Sequence, residues 1–242
     1  VRWVWNEGKR QVIDAADTEA LAASINLDPP VDGLRMVWAI GLNYRDHAAE
    51  TGAPLPPEPV VFVKATGSVV GHGADILIPP HVAQPDYEGE LAVVIGRRAR
   101  DVPEDEALDV VEGVTCAHDV SARDHQFTTG QWSWSKSFDT FCPLGPVLVT
   151  PDELDLGNLA IETRVNGEVL QCSNTDQLVF GVPQLIAHLS QGLTLEPGDV
   201  ILTGTPGGVG MARTPQRWLE DGDVVEITIA GIGTLRNRVI RR

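Results

Sequence analysis

Positive charge is scarce in this chain. Its 242 residues carry 18 Lys+Arg against 34 Asp+Glu, a formal net charge of −16. Gripping a polyphosphate takes clustered cations. The only dense basic stretches are Arg97-Arg98-Ala99-Arg100 and the tail Arg236-Asn237-Arg238 to Arg241-Arg242. Each is short and interrupted, which argues against unspecific nucleic-acid binding. Long apolar runs are missing too: none approaches the roughly 20 residues that cross a bilayer. The N-terminus lacks the charged, apolar, small-residue order of a secretory leader. Cysteine is sparse: Cys116, Cys142 and Cys172 are widely spaced, with no Cys-x-x-Cys arrangement. That usage suits a reducing compartment and buried or inert thiols. The expectation is a cytoplasmic protein with neither nucleic-acid nor membrane partners.

What is present reads as globular. Hydrophobic residues make up 43% and charged residues 21%, which excludes disorder of the whole chain, and the length allows one or two domains. Composition shifts near residue 36. Residues 1–35 read as a small N-terminal α/β module. It has a hairpin-like start around the turn Asn6-Glu7-Gly8-Lys9, a short helix over 18–24 and a break at Asp28-Pro29-Pro30. From Met36 to Arg242, short β-branched runs alternate with Gly and Pro. Strands are predicted at 37–41, 60–64, 75–78, 88–95, 113–118, 146–150, 161–165, 169–172, 199–203, 224–229 and 234–239. Asn166-Gly167 marks a hairpin turn. Helices are fewer: 44–50, 104–111, and 176–189 interrupted by Pro183. Without regular βαβ alternation, a mainly β sandwich, roll or barrel fits better than a Rossmann sheet.

Four stretches carry candidate chemistry. In Asp86-Tyr87-Glu88-Gly89-Glu90, strand alternation puts Glu88 and Glu90 on one face; the spacing also fits two solvated glutamates. Asp119 ends an apolar strand and supplies a third acid, although it could instead cap a short helix starting at Val120. Three carboxylates without Cys or paired His ligands describe a hard oxygen site for Mg²⁺, Mn²⁺ or Ca²⁺ rather than Zn²⁺. In Asn43-Tyr44-Arg45-Asp46-His47-Ala48-Ala49-Glu50, a helix capped by Asn43 places His47 and Glu50 on one face. They are either a general-base pair or an ordinary exposed pair. The Pro-rich stretch 51–57 after it suits a lid.

Lys136, in Trp132-Ser133-Trp134-Ser135-Lys136-Ser137-Phe138-Asp139, could neutralise an oxyanion or substrate carboxylate, or be a surface lysine. Trp132 and Trp134 read as either pocket wall or ordinary core, with core favoured. Thr203-Gly204-Thr205-Pro206-Gly207-Gly208-Val209-Gly210 is neither a Walker A loop nor a G-x-G-x-x-G fingerprint. It is a plain loop, or a turn offering N–H groups and Thr205 to an anion. His72, His81, His125 and His188 lack converging partners, and His118 faces away from Asp119. These five are read as structural or solvated.

In their order and spacing, these stretches closely resemble the fumarylacetoacetate hydrolase family, in its short-chain branch with acylpyruvate hydrolases and oxaloacetate decarboxylases. The resemblance runs from about Val37 to Val239. It rests on Gly41-Leu42-Asn43-Tyr44 with His47 and Glu50, Phe62-Val63-Lys64, Glu88-x-Glu90, Asp119-x-x-x-Arg123-Asp124, Lys136-Ser137-Phe138-Asp139 and Thr203-Gly204-Thr205-Pro206. It implies a mixed β-sandwich roll over residues 36–242, a homodimer, and Mg²⁺ or Mn²⁺ on Glu88, Glu90 and Asp119. It also implies a His47–Glu50 dyad, Lys136 as a catalytic cation, and substrate contacts from Arg123, Gln126 and Thr205, with Lys64 and Tyr44 at further matching positions. Residues 1–35 are too short for the N-terminal domain of the branch that hydrolyses fumarylacetoacetate itself. The expected function is metal-dependent C–C cleavage of a small 2-oxo acid. The alternatives are isomerisation or decarboxylation of a 2-hydroxyhepta-2,4-diene-1,7-dioate type acid, and a catalytically silent binder of metal and carboxylic acids. Because such substrates are anions, Lys64, Arg123 and Lys136, with the metal, should form a positive island in a negative protein.

Overall fold

The strand Gly89–Ile95 is buried at every position, and its alternation assigns two faces. Leu91, Val93 and Ile95 enter one core cluster together with Ile161, Val165, Val225, Ile227 and Leu235. Ala92 and Val94 point the other way, into a second cluster with Val37, Ala39, Phe62 and Val200. Burying each such aliphatic side chain contributes about 1.5–3 kcal/mol, so a strand covered on both faces is a firm platform.

The structure, a computed structural model, describes residues 1–24 and 26–242. Its large mixed sheet has the order Lys9–Ile13, Arg2–Asn6, Cys142–Val149, Val111–His118, Gly89–Ile95, Val200–Leu202, Val37–Gly41 and Val60–Lys64, with the short Val69–Val70 pairing beside Cys142–Val149. A second sheet runs Glu168–Asn174, Ala160–Val165, Val224–Ile229, Gly233–Arg241 and Asp75–Ile78. The two pack over the first core cluster, giving the mainly β sandwich expected from the sequence. Gly89 lies at a close approach of the two: a Cβ there would sit 2.2 Å from Thr163 Oγ1 in the second sheet. The N-terminal hairpin extends the large sheet, with Arg2 opposite Val149 and Trp3 opposite Leu148. Asn166 and Gly167 both take positive φ, 53° and 81°, as the tight hairpin turn requires.

Among the described residues five α-helices flank the sheets: α1 (Thr18–Ser24), α2 (Arg45–Thr51), α3 (Arg123–Thr129), α4 (Trp132–Ser135) and α5 (Val182–Ser190). Three local expectations are corrected. Pro183 does not interrupt a helix but sits in the first turn of α5, where its missing N–H leaves no bond unmade; the preceding 175–177 is a separate 3₁₀ turn. Residues 104–110 are 3₁₀ rather than α. The residue before α2 is Tyr44, without a side-chain cap. Asn43 instead reaches the second half of the chain, donating to Phe180 O and Thr203 O at 3.0 and 2.8 Å. Among the described residues no helix is long and apolar enough to cross a membrane.

Candidate active site

Strand parity builds the centre of the site. Glu88 and Glu90 share the face of Ala92 and Val94, turned away from the second sheet. Asp119 follows the neighbouring strand Val111–His118, and its N–H donates to Glu88 O at 2.9 Å. Helix α3 begins later, at Arg123, so Asp119 caps nothing. Oxygens of Glu88, Glu90 and Asp119 lie within 4.8 Å of one another, and all three residues are buried.

Three buried like charges repel strongly unless they are compensated, and the compensation is uneven. Glu88 meets Lys136 Nζ at 2.7 Å and Arg123 at 2.6 Å. Burial pushes its pKa up, but these two cations outweigh burial and hold the carboxyl well below the usual range. Asp119 pairs with Lys136 at 2.5 Å and also with Lys64. Burial opposes the Lys136 charge, yet Asp119 and Glu88 prevail and raise its pKa, so the ammonium persists. Glu90 differs. Among the described residues no cation pairs with it, and its carboxylate accepts the Gly204 N–H at 2.7 Å. Burial, then the charges of Asp119 and Glu88, push its pKa well above the ordinary value. A hard-oxygen donor set with one uncompensated carboxyl fits a divalent cation held by these three residues.

Helix α2 carries the second element. His47 is buried, and its Nδ1 lies 3.6 Å from Glu50 Oε2. Burial would raise the Glu50 pKa, but His47 and the Gly208 N–H outweigh it and lower the value. A cavity of about 180 Å³ brings His47 together with Glu88, Glu90, Arg123, Gln126, Lys136 and Thr205. Asp119, Glu50, Lys64 and Tyr44 stand behind this lining. Lys64 is spent on Asp119 and Val120 O. Tyr44 is fully buried with an unpartnered hydroxyl, and burial raises its pKa. The Thr205 hydroxyl is engaged, donating to Gly89 O at 3.0 Å and accepting from Gln171 at 2.8 Å.

The glycine loop answers its own question: the anions on its N–H groups are carboxylates of the protein. Gly204 serves Glu90; Gly207 serves Asp46 at 3.2 Å; Gly208 serves Glu50; Gly210 and Met211 serve Asp86 at 2.7 and 3.1 Å. Asp86 in turn holds Arg123 Nε at 2.8 Å. Asp86, Asp46 and Gln171 are thus site-building residues that sequence reasoning missed. Only the adjacency of Asp86 to Glu88 and of Asp46 to His47 could have signalled two of them.

Two further expectations fail. Trp132 takes the pocket-wall place, lining the cavity while packing against the second core cluster with its ring 5.6 Å from that of Phe62, whereas Trp134 is not core but 60% exposed. His81 and His125 do converge, their rings 5.3 Å apart edge-on, with Trp134 and Phe138 against His125. His118 is structural: burial pushes its pKa down to about 3. With every group ionised, Asp86, Glu88, Glu90 and Asp119 outnumber Lys64, Arg123 and Lys136 by one. The side chains alone therefore make no positive island, and a divalent ion held by Glu88, Glu90 and Asp119 would reverse the sign of the sum.

A β-sandwich fold that gathers buried carboxylates, engaged cations and a histidine on one small cavity defines an enzyme with an acid-built centre. The chain belongs to the fumarylacetoacetate hydrolase family: residues 36–240 match the fumarylacetoacetate (FAA) hydrolase C-terminal family. It is 47% identical over 231 residues to oxaloacetate tautomerase Fahd2a, mitochondrial, of Rattus norvegicus, covering 91% of this chain and 74% of that one. It is similar to the solved 5-carboxymethyl-2-hydroxymuconate delta-isomerase of Mycobacterium smegmatis, with 46% identity, TM-score 0.78, and 86% and 80% of the two chains covered. Against 2-hydroxyhepta-2,4-diene-1,7-dioate isomerase of Mycobacterium marinum the values are 39%, 0.81, 98% and 82%.

Proposed function

We propose that this protein is a divalent-metal-dependent enzyme that moves a proton at the carbon beside the keto group of a small 2-oxo acid, interconverting keto and enol forms. The observation carrying this reading is that His47, backed by Glu50, lines the same small cavity as Glu88 and Glu90. Tautomerase and isomerase relatives support proton transfer over the hydrolysis expected first. Glu88, Glu90 and Asp119 would hold Mg²⁺, or Mn²⁺, whose hard-oxygen preference they match. Bound there, the ion supplies Lewis-acid polarisation of the keto oxygen.

The chain's own residues do the rest. His47 takes the proton from the carbon and returns it to carbon or oxygen, with Glu50 orienting the ring. Lys136 offsets the negative charge that develops on the enolate oxygen. Arg123 and Gln126 bind the substrate carboxylate. Thr205 shapes the wall, Lys64 steadies Asp119, and Tyr44 packs behind Glu90. The same dyad favours a second reading, in which His47 activates water for C–C cleavage of an acylpyruvate.

A Mg²⁺-supplemented assay tests both. Oxaloacetate enol should decay faster with enzyme, without carbon loss, and His47→Ala should slow that decay by about 10²-fold or more while retaining Mg²⁺ binding. Pyruvate released from acetylpyruvate, with no gain in enol decay, would replace the first reading by the second. The proposal extends to a catalytic unit over residues 36–242 with 1–35 as an added module. It also includes a cytoplasmic homodimer, supported by unpaired cysteines and by half-exposed Val61 and exposed Trp134 beside the outer strand Val60–Lys64. Sedimentation in solution checks the dimer.

A further inference from the structure

The cavity is chemically two-sided. The two cations of its lining, Arg123 and Lys136, are already engaged with acids of the site. Arg123 is held by Asp86 at 2.8 Å, Glu88 at 2.6 Å and Gln126 at 2.8 Å. Lys136 is held by Glu88 at 2.7 Å and Asp119 at 2.5 Å. No third lysine or arginine is among the described lining residues. The rest is largely apolar: Ile40, Leu42, Phe62, Phe127, Trp132 and Met211.

This wall begins at the charged groups themselves. Lys136 Nζ lies 5.2 Å from the Phe62 ring centroid, and Trp132 stands edge-on to Phe62. Trp132 fits there because Gly41 has no side chain: a Cβ would meet its ring at 2.2 Å. Phe127 completes the wall one residue after Gln126, yet it remains 61% exposed. A large aromatic left open at the mouth of a cavity is surface that a bound apolar group would cover.

A 2-oxo acid whose carboxylate and keto group sit among Glu88, Arg123 and Lys136 must turn its remaining substituent towards this wall. An aryl or branched alkyl group would bury apolar area there. A second carboxylate would lose water and find no free cation. We infer that the cavity selects 2-oxo acids with an uncharged, apolar substituent over dicarboxylates bearing the same head group. The inference rests on the head-group placement proposed above, and it departs from the di- and tricarboxylates named for the relatives.

Two ligands that cannot enolise separate specificity from turnover: benzoylformate, with an aryl substituent, and oxomalonate, with a second carboxylate. Calorimetric titration of the Mg²⁺-loaded protein should give benzoylformate a Kd at least about tenfold lower, within the range expected of an apolar pocket. Equal affinities, a preference for oxomalonate, or no benzoylformate binding would overturn the inference. Phe127→Arg, at an exposed position that tolerates the change, should shrink the ratio at least about threefold by supplying the missing cation; an unchanged ratio would overturn the role given to this wall. Phenylpyruvate enol decay is read in parallel. Binding preference without that turnover would leave the specificity standing and remove the proposed reaction.

Discussion

The Gly208 N–H donates to both oxygens of the Glu50 carboxylate, at 2.9 and 3.0 Å. A backbone loop, rather than a lysine or arginine, therefore holds the acid beside His47. Gly208 can do so only as glycine: its φ is +100°, and a Cβ would lie 2.1 Å from Leu170 O.

Gly208→Ala should consequently shift the loop and release Glu50. The expected loss is about 1–3 kcal/mol of stability with kcat down about 10- to 100-fold, while Mg²⁺ affinity changes less than threefold. Thermal melts, steady-state kinetics and metal titration together check this. Unchanged kcat would show that the Glu50 contact does not position His47.

Glu90→Gln removes a buried charge that no cation pairs. Metal-free protein should melt at the same or a higher temperature, because an uncompensated buried charge is costly. The rise in melting temperature that Mg²⁺ gives wild-type protein should vanish, since that rise tracks affinity. An undiminished Mg²⁺ effect would remove Glu90 from the ligand set.

Glu50 also predicts a pH dependence. Burial raises its pKa, but His47 and the Gly208 N–H prevail and place the folded value below the ordinary glutamate value of 4.5. A depressed folded pKa contributes stability above the unfolded pKa and loses it as pH falls through the folded value. The stability difference between wild type and Glu50→Gln should stay level from pH 7 to about 5 and shrink below about 4.5, as urea melts across that range can read. A difference that grows on acidification would reverse the sign assigned here.

Gly41→Ala should push Trp132 off the cavity wall, because the new methyl would overlap its ring. The expectation is a kcat/KM loss of about tenfold, carried mainly by KM, with Mg²⁺ affinity unchanged. Loss of metal binding instead would mean that the change spreads to the carboxylates.

Much of the sandwich is legible in sequence, because apolar alternation and Gly or Pro punctuation report strands directly. Parity within Glu88-Gly89-Glu90 is enough to put two acids on one face, and the end of an apolar run locates Asp119. Other features depend on contacts between distant segments. Trp132 looks like core until Gly41, far away in the chain, makes room for it at the cavity. Pro183 can end a helix or begin one, and the pattern around it does not choose. Gln171 is unremarkable in sequence, yet it clamps Gly89, Thr205 and Pro206 together. Its partners come from another sheet and a distant loop.

The row of amides in the glycine loop differs from the lysines opposite in one respect that matters for a working enzyme. An ammonium–carboxylate bridge between groups that reach water weakens with salt and can be undone by a proton. A backbone N–H carries no net charge and does not titrate across the physiological range. Glu50, Glu90, Asp46 and Asp86 are therefore aligned by donors whose hold is set by the course of the chain itself, so the spacing between the histidine and the acid cluster should change little with ionic strength.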